Sequence, residues 1–395
     1  MRRQGMTYGR LTRAGIARPS FVFASSVVLL AAGSCESATG PSSGRVIWRA
    51  DGEGWGNATF DNTTAYFVAL DHELVAVDKA SGQVRWRGHE TDPGPTTNGR
   101  SVVVANDIVA IGDADIHGFD RATGTHRWVF HPAQGFDPGL YYLETDGATI
   151  FAGSPSGHVY AVDGSTGAQR WVTAVAADGN SSTFNPVLDQ GMLFVCLKHF
   201  TSPATTGGVV ALDAQTGTVR WTRDLPPNPP FGGAACDLKV AVSGALVVAA
   251  SDAGKIYAMD RATGEIRWTA PQLSGLPPGT GGSPDADVRP LVASQGLVVA
   301  GSTTGYLVAY DAATGTERWR ATAHRGSATY PLSADANAVY ATHSGLQLAA
   351  FDITTGALKW LAGDNPGGGE FYPSPSPDGD RLYVSGLKGF YALRK

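Results

Sequence analysis

Short runs of alternating apolar and polar residues fill the chain from residue 44 to its end, and each run is closed by a turn signal. One unit, "PLVASQGLVVAGSTTGYLVAYDAATGTERW" (residues 290–319), shows the pattern. "PLVAS" predicts a first strand and "GLVVAG" a second after a tight turn. "TTG" turns into "YLVAYD", a third, and "AATG" turns again into "TERW", a fourth. Period-two alternation rich in Val, Leu and Tyr marks strands half-buried between layers.

The end of that unit recurs. Asp-x-x-(Ser/Thr)-Gly-x-x-x-Trp begins at Asp78, Asp120, Asp163, Asp213, Asp260, Asp311 and Asp352 and ends at Trp86, Trp128, Trp171, Trp221, Trp268, Trp319 and Trp360. The spacings of 41 to 51 residues are those of propeller blades. Each residue type has a mechanical reason. The Asp carboxylate at the end of the third strand accepts backbone N–H groups as in an Asx-turn, and the Ser or Thr hydroxyl does likewise. The Gly supplies positive φ. The Trp offers a broad flat surface to wedge against the next blade, and burying it contributes about 4–6 kcal/mol gross before entropy is subtracted. The phrase is therefore structural.

The ends complete the count. After Trp360, "EFYPSPSPDGDRLYVSGLKGFYALRK" (370–395) supplies three strands and stops. The missing fourth is "GRVIWRA" (44–50), with Trp48 in the wedge position. Joining the two termini closes the ring and leaves no free sheet edge between blades. The expectation is an all-β, eight-bladed propeller of four-stranded antiparallel blades over residues 45–395. Eight of the nine tryptophans take the wedge place, and Trp55 is the exception.

Composition agrees, with 43% hydrophobic residues, only 16% charged, 51 Gly and 23 Pro. The net charge is −5; the first 34 residues hold five arginines and no acid, so the remainder carries −10. An acidic body with few lysines is a poor phosphate-backbone binder, which argues against a nucleic-acid partner.

The five arginines precede "FVFASSVVLLAA" (21–32), an apolar run too short to stay as a membrane-spanning helix. This reads as an export signal over residues 1–34. "AGSC" before the cut resembles the bacterial lipobox, with Ala32 where leucine is usual, and implies lipidation of Cys35. Residues 35–44 then form a flexible polar tether. By the family sorting rule Glu36 favours the outer membrane, facing the periplasm. Cys196 and Cys236 remain. An oxidising compartment permits a disulfide between them, and two separate buried thiols fit the sequence equally well.

The repeats "AVDGSTGAQRW" (161–171) and "AYDAATGTERW" (309–319) resemble the tryptophan-docking motif of eight-bladed quinoprotein (PQQ) propellers, over residues 44–395. That resemblance specifies fold more than function. The quinoprotein dehydrogenases imply PQQ and calcium, held by acidic and amide side chains beside a base, and in many a pair of adjacent cysteines. No Cys-Cys occurs here, and Asp285 and Asp287 lack a companion Glu and Asn set. HExxH, GxSxG and Walker patterns are missing, and the nine histidines are scattered. No catalytic, cofactor-binding or metal-binding residue is assigned.

The chain also resembles the BamB family of outer-membrane assembly lipoproteins in length, lipobox and blade number. "DADVRPLV" (285–292) is similar to that family's Asp-x-Asp-x-x-Pro-Val stretch near a partner-binding surface. The resemblance implies Asp285 and Asp287 as partner contacts; Arg289 is added from proximity. Equally, both aspartates suit capping of loop N–H groups. The family's leucine-and-arginine docking segment has no counterpart, because "PPNPPFGGAAC" (226–236) stands in its place. Three lengthened loops, at 197–208, 222–236 and 269–287, emerge on one face over blades four to six. The expected function is a non-catalytic, monomeric protein-binding scaffold aiding barrel-protein assembly in the envelope. The alternative is a PQQ- and calcium-dependent or small-molecule-binding propeller.

Overall fold

The structure is a computed structural model. It describes residues 45–395 except 53–56, 70–72, 90–100, 133–138, 141, 177, 179, 201–204, 228–233, 237–238, 252–253, 271–287, 303–304, 323–328, 344–347, 363–374 and 387–388. The signal and tether segments, Cys35, Trp55, Asp285 and Asp287 lie outside the described residues.

The described strands form eight antiparallel sheets in sequence order. Blade 1 runs Thr59–Phe60, Thr64–Val68, Leu74–Asp78, Val84–Gly88, and blade 6 runs Val288–Ser294, Leu297–Ser302, Tyr306–Asp311, Glu317–Thr322. Blade 8 is stitched from both ends: Ser376–Asp378, Arg381–Gly386 and Gly389–Arg394 from the C-terminus, then Val46–Ala50 from the N-terminus. Trp48 stands opposite Ala392 and Ala50 opposite Phe390. The expected closure and blade number are both present.

The meaning of the alternation differs from a half-buried sheet. In Tyr306–Asp311, Leu307 and Ala309 enter a core shared with blade 7, while Val308 and Tyr310 enter one shared with blade 5. The middle strands thus alternate between two cores, not between core and water, because every sheet is sandwiched by its neighbours. Eight such clusters, each bridging two adjacent blades and one bridging blades 8 and 1, run round the ring. Among the described residues, most exposed strand positions lie on the outermost strands, as in the pattern of Val84–Gly88.

The repeated phrase does more than turn the chain. One carboxylate oxygen of each Asp takes the two following turn N–H groups and the Ser or Thr hydroxyl, as at Asp311 with Ala313, Thr314 and Thr314 Oγ1 at 2.9–3.0 Å. Six of the seven repeats link the other oxygen to an arginine seven residues on, from Arg85–Asp78 to Arg318–Asp311, at 2.6–2.9 Å. A bulge sets this up. Ala309 pairs with Trp319 and Tyr310 with Glu317, leaving Arg318 unpaired and turned back to its own Asp. The Arg318 guanidinium, then the Thr314 hydroxyl and N–H, hold the Asp311 carboxyl down at about 2.

The wedge has a defined seat, the Gly of the next blade's turn. A Cβ on Gly82, Gly124, Gly167, Gly217, Gly264, Gly315 or Gly356 would stand 2.5–2.7 Å from the indole of Trp48, Trp86, Trp128, Trp171, Trp221, Trp268 or Trp319 respectively. Six of these indoles donate Nε1–H to the carbonyl just after the turn's Asp, at 2.9–3.1 Å. Each turn is at once the end of its own hairpin and the socket for the preceding blade.

Candidate functional site

Blade 4 breaks the regular unit. Its second and third strands, Met192–His199 and Thr206–Asp213, are eight residues each, against five or six in the other blades. Their hairpin therefore stands above the face from which the blade-to-blade connections leave. Its inner strand is split into Ser181–Thr183 and Val187–Asp189, both paired with Met192–His199.

The raised hairpin is stitched to the connection into blade 5. Cys196 and Cys236 are joined by a disulfide, with Cα atoms 5.0 Å apart. Thr206 bridges Ala234, and Cys236 bridges Ser251 of blade 5. Leu225 N–H donates to Gly207 O at 2.8 Å, and the Tyr257 hydroxyl donates to Pro226 O at 2.9 Å. A buried covalent link and these backbone bonds fix a surface that a proline-rich loop alone would not.

On that surface stands Phe200, 53% exposed, with the Lys198 ammonium 5.8 Å from its ring centre. Phe200 N–H is held by Asn180 O at 2.8 Å. Beside it lie Asp178, Ser181 and His199. Ser181 Oγ donates to Asp178 Oδ2 at 2.8 Å and meets His199 Nδ1 at 2.5 Å, while Asp178 lies 3.4 Å from the same nitrogen. A nucleophilic relay needs the serine and the carboxylate on opposite imidazole nitrogens. Here both crowd one nitrogen, and the buried hydroxyl gives its proton to the carboxylate. The Ser181 hydroxyl, then the Asn180 N–H, hold the Asp178 carboxyl below its usual range. The trio is a polar clamp carrying charge beside an exposed aromatic.

Towards the axis, Glu144 sits on the innermost strand of blade 3. Burial raises its carboxyl, while Lys239 of blade 5 and the Thr145 and Leu188 N–H groups pull the other way. Among the described residues, no group of three or more His, Cys, Asp or Glu converges as a metal site.

Arg289 lies on the innermost strand of blade 6, where the ladder shifts register between Val288 and Leu291. Sequence reasoning passed over Asp178, Ser181, His199, Phe200 and Glu144. None lies in the repeat, and Asp178 and His199 meet only through the fold of blade 4.

A family model described as "Outer membrane protein assembly factor BamB" matches residues 13–128, 112–283 and 277–389. The chain belongs to that family. A curated relative, the serine/threonine-protein kinase AfsK of Streptomyces coelicolor, is 27% identical over 295 residues, 74% of this chain. The matched stretch is 33% of the kinase, so the chain spans about a third of that relative's length. BamB of Moraxella catarrhalis is 20% identical, with 73% of this chain and 79% of that one covered at a TM-score of 0.54. Quinohemoprotein alcohol dehydrogenase of Comamonas testosteroni is 14% identical, with 88% and 76% covered at 0.67. Both structures share the fold with this member of the family.

Proposed function

We propose that this chain is a non-catalytic scaffold with a BamB-like role in outer-membrane β-barrel assembly. It is exported, lipid-anchored through Cys35, faces the periplasm and works as a monomer. The observation that carries the reading is the disulfide-fixed rim of blades 4 and 5, which presents Phe200 beside Lys198, His199 and Asp178. A rigid aromatic anchor ringed by polar groups is how a folded protein partner is held, because little side-chain entropy is lost on docking. In this reading Asp285, Asp287 and Arg289, which precede or begin the innermost strand of blade 6, are further partner contacts. Exposed outermost strands such as Val219–Asp224 offer edges to a nascent β-chain.

The test uses the full chain in its own envelope, with a photo-crosslinking residue at Phe200 and, separately, at Arg289. Capture of a barrel-assembly core protein from both positions supports the reading; capture of none rejects it. The fold also carries a quinohemoprotein dehydrogenase, so purified protein is incubated with PQQ and calcium. A quinone absorbance with dye reduction would replace the scaffold by an oxidoreductase.

A further inference from the structure

The blades are copies of one unit, and blade 2 departs from the others at neighbouring positions of its outer hairpin, Ile116–Asp120 and His126–Phe130. Three residues before each repeat Asp, the side chain enters the core shared with the preceding blade. Val75, Tyr160, Val210, Tyr257, Val308 and Ala349 stand there, all buried. Blade 2 has His117 instead, only 2% exposed. One residue on, Gly118 stands where the other blades have alanine. Two residues before the Trp, five blades carry Val, Ile or Leu, and blade 2 has His126. A buried imidazole in place of an apolar side chain is costly unless its nitrogens are engaged. A paired departure of this kind, in a unit otherwise dictated by packing, points to function.

The bulge brings the two histidines together. His117 pairs with Val129, and Phe119 pairs with His126 across the register shift. Without the shift Arg127 would share the face of His117. With it Arg127 turns to Asp120 at 2.6 Å, and His126 takes the place. His117 Nδ1 then lies 3.4 Å from His126 Nε2, while the ring centres are 5.4 Å apart. The rings therefore meet nitrogen to nitrogen, not face to face. That spacing is long for a hydrogen bond, usually about 2.9–3.0 Å. It suits two ligands of one tetrahedral ion, since bonds of about 2.0–2.1 Å at the tetrahedral angle set the nitrogens about 3.3–3.4 Å apart.

We propose that His117 and His126 are the two protein ligands of a divalent transition-metal ion of the zinc or copper kind, held on the face of blade 2 that meets blade 1. Imidazole donors select such ions over magnesium or calcium, which take oxygen. His126 is only partly buried and gives the ion its way in, with water completing the coordination. Burial pushes the His126 imidazole down, against a hydrogen bond to the Trp128 backbone. The neutral ring is the form that ligates, and a backbone bond to the second nitrogen is how ligating histidines are commonly oriented. The site lies on blade 2, apart from the partner surface proposed on blades 4 to 6.

The test uses the full chain, treated with a chelator and dialysed. In calorimetric titrations it should bind a single Zn²⁺ or Cu²⁺, Cu²⁺ the more tightly, and no Mg²⁺. Electron paramagnetic resonance of the Cu²⁺ form should show coupling to imidazole nitrogen. His117→Val supplies the residue type of the other blades, so the variant should fold. It and His126→Val should each weaken the site by about a hundredfold or more. Should His117→Val not fold, His126→Val, at a partly exposed position, decides. His158→Asn, on blade 3, should leave the affinity unchanged. No ion bound at millimolar concentration, a tightest site that survives either valine variant, or one that His158→Asn removes overturns the proposal.

Discussion

Gly315 and Gly296 stand in the same blade with the same backbone conformation, φ +71°, yet in different surroundings. A Cβ on Gly315 would meet Trp268 Cε3 at 2.6 Å, whereas one on Gly296 meets nothing within 4 Å. Substituting Ala at either position places a side chain in the left-handed region, which costs about 1–2 kcal/mol and is partly offset by a stiffer unfolded chain. Only Gly315→Ala adds an overlap with a wedged ring. Overpacking of that kind costs about 1–3 kcal/mol, and pushing the ring aside also strains its 2.9 Å bond to Ala312 O, worth about 1 kcal/mol. Gly315→Ala should therefore lose about 2–5 kcal/mol and Gly296→Ala about 1 kcal/mol. Urea denaturation followed by Trp fluorescence measures both. Repeating Gly315→Ala in a Trp268→Ala background isolates the contact, because the glycine then has no ring to meet and should lose only what Gly296→Ala loses. Equal losses for the two single variants, or no coupling in the double variant, would refute the seat as the reason for the glycine.

Trp48→Ala should destabilise by about 3–5 kcal/mol, as a large aromatic removed from a core, and should loosen the blade 8–blade 1 junction first in hydrogen exchange. The carboxyls of Asp120, Asp213 and Asp311 are held at about 2, chiefly by Arg127, Arg220 and Arg318. Their folded values lie below the unfolded one. Their stabilisation is therefore complete above about pH 4 and fades as pH falls through about 2. A triple Asp→Asn variant should be weaker than wild type at pH 7, with the gap in denaturation midpoint closing near pH 2. Cys196→Ser with Cys236→Ser should lower stability by about 4 kcal/mol on the chain-entropy model for a separation of 40 residues, read as a melting shift that reductant reproduces in the wild type.

The parts legible in the sequence are those that one interaction repeats. Each Asp, Ser or Thr, Gly and Trp of the phrase solves the same mechanical problem, so the pattern shows itself by recurrence, and the blade count and the split blade follow. The arginine before six of the seven repeat tryptophans recurs as plainly, as in "VRW", "HRW", "QRW" and "ERW", yet its role is hidden. Only the bulge turns a residue that strand alternation would place independently of the Asp back onto it. The seat of the Trp is likewise invisible until two blades are set side by side. The Gly then has two reasons to be glycine, and sequence reasoning finds just the backbone one.

The rim is hard to read for the opposite reason. Asp178, Ser181 and His199 meet because blade 4 has a split inner strand and an over-long hairpin, and both are departures from the pattern that makes the rest predictable. A propeller joins these two regimes. Its ring is locked by self-complementary turns, six of the seven repeats carrying an Asp–Arg pair, so a change on the rim face need not disturb the docks on the other. Phe200→Ala, for an exposed ring, should leave the denaturation midpoint within about 0.5 kcal/mol of wild type. Under the scaffold reading it should weaken partner capture from Arg289 as well as from its own position, since both positions serve one surface. Capture from Arg289 that persists at full strength would separate the two and leave the raised hairpin of blade 4 outside the contact.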